Sequence, residues 1–271
     1  MEKRIFDYKR FIFGIIFGIT IIISIFFLNR YEFFFVLIVL MALSVYEIFG
    51  LFDLSGYRYF ILPEILSISV AFSFAFLKEN LFIFTIFLSI FLILFKNIIF
   101  FKKDSGKSIF LDIFSIFYAG FFISFLLKIF ELSGGRLLLL LLFVLVWASD
   151  IFAYYGGRRF GRHKLFLSLS PKKTIEGSLA GFISAIFTAL VFRAFISDYE
   201  QFTLVFFIFL SSVTIIAGMT GDLAESLIKR IGGKKDSGYL IPGHGGILDR
   251  IDSLMLAAPV FYYIVVFYWK F

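Results

Sequence analysis

The chain contains nine apolar runs of spanning or near-spanning length, at about 11–28, 33–50, 61–77, 81–101, 109–130, 137–155, 179–196, 202–219 and 254–269. A bilayer core offers no water to unpaired N–H and C=O groups, so apolar runs of about 20 residues are restricted to helices that close their own hydrogen bonds. With 61% hydrophobic residues and 44 Phe among 271, an ordinary soluble globule is excluded. The expected fold is an all-α polytopic membrane protein of about nine transmembrane helices. Lys96-Asn97 interrupts the fourth run, which keeps eight or ten crossings as alternatives. The first run follows a basic head and leads into Asn29-Arg30 without a small-residue cleavage site, so it reads as a retained helix and not as a signal peptide.

The basic residues supply an independent check on that count. With nine crossings and a cytoplasmic N-terminus, nineteen Lys and Arg fall on the cytoplasmic side and four on the other. The loop around Asp198 and Glu200, acidic and without Lys or Arg, falls outside. The net charge of +7 is therefore assigned to loops facing anionic headgroups, with no nucleic-acid partner. Two polar loops, 156–178 and 220–253, face the cytoplasm, and the expected location is the cytoplasmic (inner) membrane. Residues 1–136 are expected to form N-terminal helices for anchoring, packing or dimer contact, and 137–271 a C-terminal catalytic domain. Glu47, Glu64, Asp112 and Lys128 lie in or beside apolar runs; such charges are functional candidates, but each is near enough to a helix end to snorkel, the commoner case.

Polar chemistry concentrates in those two loops. The sixth run ends in Asp150, followed by Arg158, Arg159 and Arg162 among glycines, then Lys172-Lys173-Thr174-Ile-Glu176-Gly177. Small residues among cations let backbone N–H groups and basic side chains meet a polyphosphate, although a merely basic loop has the same composition. In the second loop, Asp222, Glu225, Ser226 and Lys229 share one face of a helix that is expected to lie at the membrane surface. Six glycines follow within fifteen residues, and then Asp249 and Asp252 recur at i, i+3. Three aspartates, Asp222, Asp249 and Asp252, suit a hard divalent cation, Mg²⁺ in particular, because it binds through carboxylates together with substrate phosphates. The bland alternative is ion pairing with neighbouring Lys and Arg. With no cysteine in the chain, any metal is held by oxygen or imidazole. No base is placed beside a nucleophilic serine, so a hydrolase triad has no support.

Ser226-Leu-Ile-Lys229-Arg230, Lys235-Asp236, Gly238, Pro242, His244-Gly245-Gly246 and Asp249-Arg250-Ile-Asp252 resemble, without departure over 27 residues, the signature of the phosphatidate cytidylyltransferases, the CDP-diacylglycerol synthases. Asp150, Ala153-Tyr154, Gly157-Arg158, Gly161-Arg162 and Ser170 to Gly177 resemble that family's second block. The resemblance implies an enzyme that joins CTP to phosphatidate, giving CDP-diacylglycerol and pyrophosphate, with Mg²⁺, a second metal ion in some members, and a membrane homodimer. Carried onto this chain, it implies catalytic roles for Asp222, Asp249, Asp252, Lys229 and Arg230, the three aspartates as metal ligands. Substrate contacts fall to Asp150, Arg158, Arg162, Lys172, Lys173, Thr174, Glu176, Ser226, Lys235, Asp236, His244 and Arg250. The alternative within the same chemistry is a CTP-dependent membrane enzyme with another lipid acceptor, an ether-lipid cytidylyltransferase or a polyprenol kinase. A transporter fits less well, because the charges gather in loops on one face and not at the midplane.

Overall fold

The structure, a computed structural model, describes residues 2–54, 57–101, 105–195, 202–239 and 245–269. Ten α-helices follow in order: α1 (Glu2–Phe27), α2 (Arg30–Leu51), α3 (Tyr57–Phe76), α4 (Glu79–Ile99), α5 (Ser105–Ser115), α6 (Phe122–Phe130), α7 (Gly135–Phe160), α8 (Ile175–Phe195), α9 (Leu204–Ile231) and α10 (Leu248–Trp269). A six-residue π-helical turn, Ile116–Phe121, joins α5 to α6 into one rod. Among the described residues, seven helices are long and apolar enough to cross a membrane: α2, α4, the α5–α6 rod, α7, α8, α9 and α10. The first and third expected crossings correspond to shorter apolar stretches, Gly14–Phe27 and Phe60–Phe76. A polytopic, predominantly helical membrane protein is the result.

The helical architecture is as expected, with one small addition: the polar segment after α7 forms a two-stranded antiparallel hairpin, β1 (Lys164–Phe166) and β2 (Ser170–Thr174), with Lys164 opposite Thr174 and Phe166 opposite Ser170. One expectation is corrected: no separate surface helix follows residue 220. Thr220-Gly221-Asp222 does not end the eighth crossing, and α9 runs unbroken to Ile231. The physical reason lies at Gly221, where a Cβ would come within 2.6 Å of the Asp252 carbonyl oxygen. The glycine serves close helix approach and not a turn.

The chain divides into two compact units, the first made of residues 1–128 and 232–250, the second of 129–231 and 251–271. The segment 232–250 thus folds with the N-terminal helices. In the first unit Leu66 and Val70 of α3, Ile93 of α4 and Ile116 of the π turn form a buried apolar cluster. Phe74 packs against Phe82, Phe121 and Phe125 at centroid distances of 5.0, 4.9 and 4.9 Å, edge-on to Phe121 and tilted to the other two. Lys96 and Asn97 do not break α4. The Lys96 ammonium sits 2.7 Å from the fully buried Asp112 carboxylate, and Asn97 donates back to the Ile93 carbonyl at 2.9 Å. Asp112 is therefore held inside by a partner and does not snorkel.

The second unit is organised by glycines between α7 and α8. A Cβ at Gly177 would meet the Ala153 carbonyl oxygen at 2.7 Å, and one at Gly181 the Ser149 carbonyl oxygen at 2.7 Å. Without a strong solvent-driven force between helices in lipid, such backbone approach supplies dispersion contact that larger residues prevent. The Ser184 hydroxyl adds a donated hydrogen bond to the Ala148 carbonyl at 3.3 Å. Replacing Gly181 by Leu is expected to destabilise the protein by ~1–3 kcal/mol through overpacking, read as a lowered Tm in detergent. Gly106→Ala, where a Cβ meets nothing within 4 Å, serves as the control and leaves Tm unchanged.

Candidate active site

The start of α8 explains how the second unit presents its basic loop. Four backbone N–H groups find acceptors where the hairpin enters the helix. Thr174 accepts from Gly177 N–H at 3.1 Å through its Oγ1, as an N-cap does. The Glu176 carboxylate, in the first turn, accepts from Arg162 N–H at 3.1 Å and His163 N–H at 3.2 Å, and its Oε1 lies 2.6 Å from His163 Nδ1. Ile175 N–H donates to the His163 carbonyl at 3.0 Å, closing the hairpin onto the helix. Thr174 is buried, and Glu176 points at the loop backbone, so these two hold the loop's shape while Arg158, Arg162 and Lys172 are exposed.

The same unit carries an anionic cluster. Asp222 and Glu225 on α9 and Asp150 on α7 each lie within electrostatic range of Asp252 on α10. Lys173 from β2 pairs with Asp222, and Lys229 pairs with Glu225 one helical turn away. Arg230 donates through Nε to the Leu169 carbonyl at 3.3 Å, tying the end of α9 to the hairpin turn. Asp252 also accepts from Ser253 N–H at 2.7 Å. Glu225, 1% exposed, was not among the expected site residues. Its signal in the sequence was the spacing i+3 from Asp222 and i−4 from Lys229. Ser226 beside it is buried.

As a donor set, four carboxylates suit a hard divalent cation. Among the described residues, however, no three His, Cys, Asp or Glu converge closely enough to hold a metal ion. The charge of Asp222 and Glu225 is met here by the Lys173 and Lys229 ammonium groups.

In the first unit, the loop after α9 is fixed by a second set of carboxylate contacts. Glu47, near the end of α2 and 2% exposed, accepts from Ile247 N–H at 2.8 Å and Leu248 N–H at 2.9 Å, one on each oxygen. The Ser237 hydroxyl lies 3.0 Å from Glu47 Oε2 and 3.0 Å from Asp249 Oδ2; with a single proton it donates to one of them at a time. Asp249, in the first turn of α10, also accepts from Ser237 N–H at 3.1 Å and Gly246 N–H at 2.8 Å. Lys235, Asp236 and Arg250 are exposed, and His244 lies outside the described residues. A cavity of about 310 Å³ opens beside this loop, lined by Tyr46, Glu47, Gly50, Lys234, Asp236, Ser237, Gly238 and Tyr239.

Lys234 anchors the loop's other end. Its ammonium donates to the Gly50 carbonyl at 2.5 Å and to Asp53 at 2.8 Å. That hydrogen bond and its charge hold the exposed Asp53 carboxyl below its usual range. A depressed acid contributes stability above its unfolded pKa and loses it as pH falls through the folded value. Titration of Asp53 by NMR in detergent is accordingly expected to move up to the ordinary carboxylate range in Lys234→Ala.

The sequence matches the cytidylyltransferase family over residues 8–268. Phosphatidate cytidylyltransferase of Haemophilus influenzae is 47% identical over 135 residues, 49% of this chain and 47% of that protein. The enzyme of the same name from Thermotoga maritima is 40% identical over 151 residues, 55% and 56% of the two chains, and that of Aquifex aeolicus 37% over 166 residues, 61% and 60%. The chain thus spans about half the length of the curated relatives it matches.

Proposed function

The chain belongs to the cytidylyltransferase family, and from that premise we propose that it is a membrane enzyme transferring the cytidylyl group of CTP to phosphatidate, with CDP-diacylglycerol and pyrophosphate as products. The observation that carries the reading on this chain's own residues is the pairing of Lys173 with Asp222 and of Lys229 with Glu225, two lysines held beside acids on one helix. Relatives named phosphatidate cytidylyltransferase support the choice of acceptor.

An oxygen of the lipid phosphate attacks the α-phosphorus of CTP, the new P–O bond forms, and the bond from the α-phosphorus to the bridging oxygen breaks to release pyrophosphate. Two anions must approach, so the protein's task is charge neutralisation and in-line positioning. Lys172, Lys173, Lys229 and Arg230 bind phosphate oxygens, and Arg158, Arg162, Lys235 and Arg250 supply further cations. Pairing with Asp222 and Glu225 keeps Lys173 and Lys229 oriented before substrate arrives. Thr174 and Glu176 act by shaping the hairpin. No general base is needed, because a phosphomonoester with a second pKa near ~6 is largely deprotonated at neutral pH. Asp222 and Asp252 would hold Mg²⁺, which when bound supplies Lewis-acid neutralisation of phosphate charge; a role for Asp249 as a metal ligand and a second metal ion belong to the same proposal. Asp150, Ser226, Asp236 and His244 complete the substrate-binding set.

Nine crossings with the N-terminus in the cytoplasm, in the inner membrane, put both polar loops where CTP is dissolved and phosphatidate exposes its headgroup. A homodimer is part of this reading. CTP labelled at the α-phosphorus is expected to pass its label to lipid in the presence of Mg²⁺ and phosphatidate; label passed only from the γ-position identifies a kinase and refutes the proposal. In the same assay Asp249→Asn, which keeps an acceptor for Gly246 N–H, is expected to abolish turnover without unfolding the protein. Near-normal product from that variant removes Asp249 from the site.

A further inference from the structure

Of the acids inside the apolar runs, Asp112 is answered by Lys96 and Asn97, whereas Glu47 takes up backbone N–H groups two hundred residues away in sequence. Each Glu47 oxygen accepts a different one, Ile247 and Leu248, at the point where the loop becomes α10. The first N–H groups of a helix have no intrahelical acceptor, and a carboxylate there satisfies both the hydrogen bonds and the helix dipole. The next residue is Asp249, whose carboxylate is bound by Ser237 and Gly246 and shares the Ser237 hydroxyl with Glu47. The space is shaped to the acid: a Cβ at Gly238 would meet Glu47 Oε1 at 2.7 Å, and one at Gly246 would collide with Glu47 and Ser237.

We infer that Glu47 is a positioning residue, which fixes the backbone of 246–248 and through it the direction of the Asp249 carboxylate. Its part in turnover rests on the cytidylyl-transfer reading above. Neutral glutamine is nearly the same size but has one acceptor oxygen, and its amide would set an N–H donor against one of the two backbone donors. The defect is thus electrostatic and directional and leaves the packing volume unchanged.

The test compares wild type, Glu47→Gln and Ser237→Ala as full chains in detergent. It measures amide hydrogen exchange of the peptide covering 245–250, Tm, and the kcat and KM for CTP. Glu47→Gln is expected to speed exchange at 246–248 about tenfold or more, as loss of a hydrogen bond to a buried charge predicts. It is also expected to lower kcat about tenfold while KM for CTP stays within about twofold, the pattern of a contact that matters in the transition state. Ser237→Ala is expected to shift both in the same direction by less. Unchanged exchange in Glu47→Gln overturns the inference, and so does faster exchange with kcat per folded molecule unaltered, which leaves Glu47 a structural cap only. Should Glu47→Gln fail to fold, Ser237→Ala decides on the same two readouts. Wild type that transfers no label to any lipid refutes the proposed reaction instead, and exchange at 246–248 still decides whether Glu47 holds the segment.

Discussion

A helix in lipid closes its own hydrogen bonds, but the chain must stop being helical somewhere, and each restart exposes N–H groups. In this protein side-chain oxygens meet them at the starts of α2, α8 and α10. Asn29 and Glu32 form a reciprocal capping box at α2. Thr174 and Glu176 gather four donors, counting the His163 ring, at α8. Glu47 and Asp249 do the same at α10. The last two cases differ from the first in reach: the acceptor comes from a distant helix or serves a distant loop, so capping becomes tertiary structure. A polar loop in a largely apolar protein gains a defined shape because carboxylates, which bind N–H strongly, are spent on backbone.

How much of this was legible in the sequence depended on whether the signal was local. The apolar runs located nearly every long helix, because length and composition are enough to specify one in lipid. The face formed by Asp222, Glu225 and Lys229 was readable from helical spacing, and α9 carries it. The same reasoning stopped that helix too early, because Gly221 looks the same in sequence whether it breaks a helix or lets α10 approach. The hairpin of 164–174 was hidden by its lack of alternation: Ser170-Pro171-Lys172-Lys173 has no apolar face, and what holds it is the anchoring of both ends by Glu176, Ile175 and His163. Glu47 carried only the mark of an acid in an apolar run; its partners are about two hundred residues away, and no spacing rule reaches that far.

The expected site residues sort into two kinds once their partners are known. Thr174, Glu176 and Asp249 are bound to backbone and set geometry. Lys173 and Lys229 are bound to carboxylates, with Asp222 and Glu225 acting as internal counterions. Burying such a cluster is tolerable only where opposite charges meet, and here each lysine is held in register by its own carboxylate.

Glu47, Gly238 and Gly246 behave as a single unit of substitution. The acid fills the space that a side chain at either glycine would require, and the glycines leave room for the acid to reach the backbone donors. Enlarging either glycine is tolerable only if residue 47 shrinks, and shrinking residue 47 alone opens a hole lined with unsatisfied N–H groups. Variation at the three positions is therefore epistatic: harmful singly, permissible only in combination, with a donor-satisfying replacement found elsewhere. A residue in the second helix and a loop near the far end of the chain thus constrain one another's replacements.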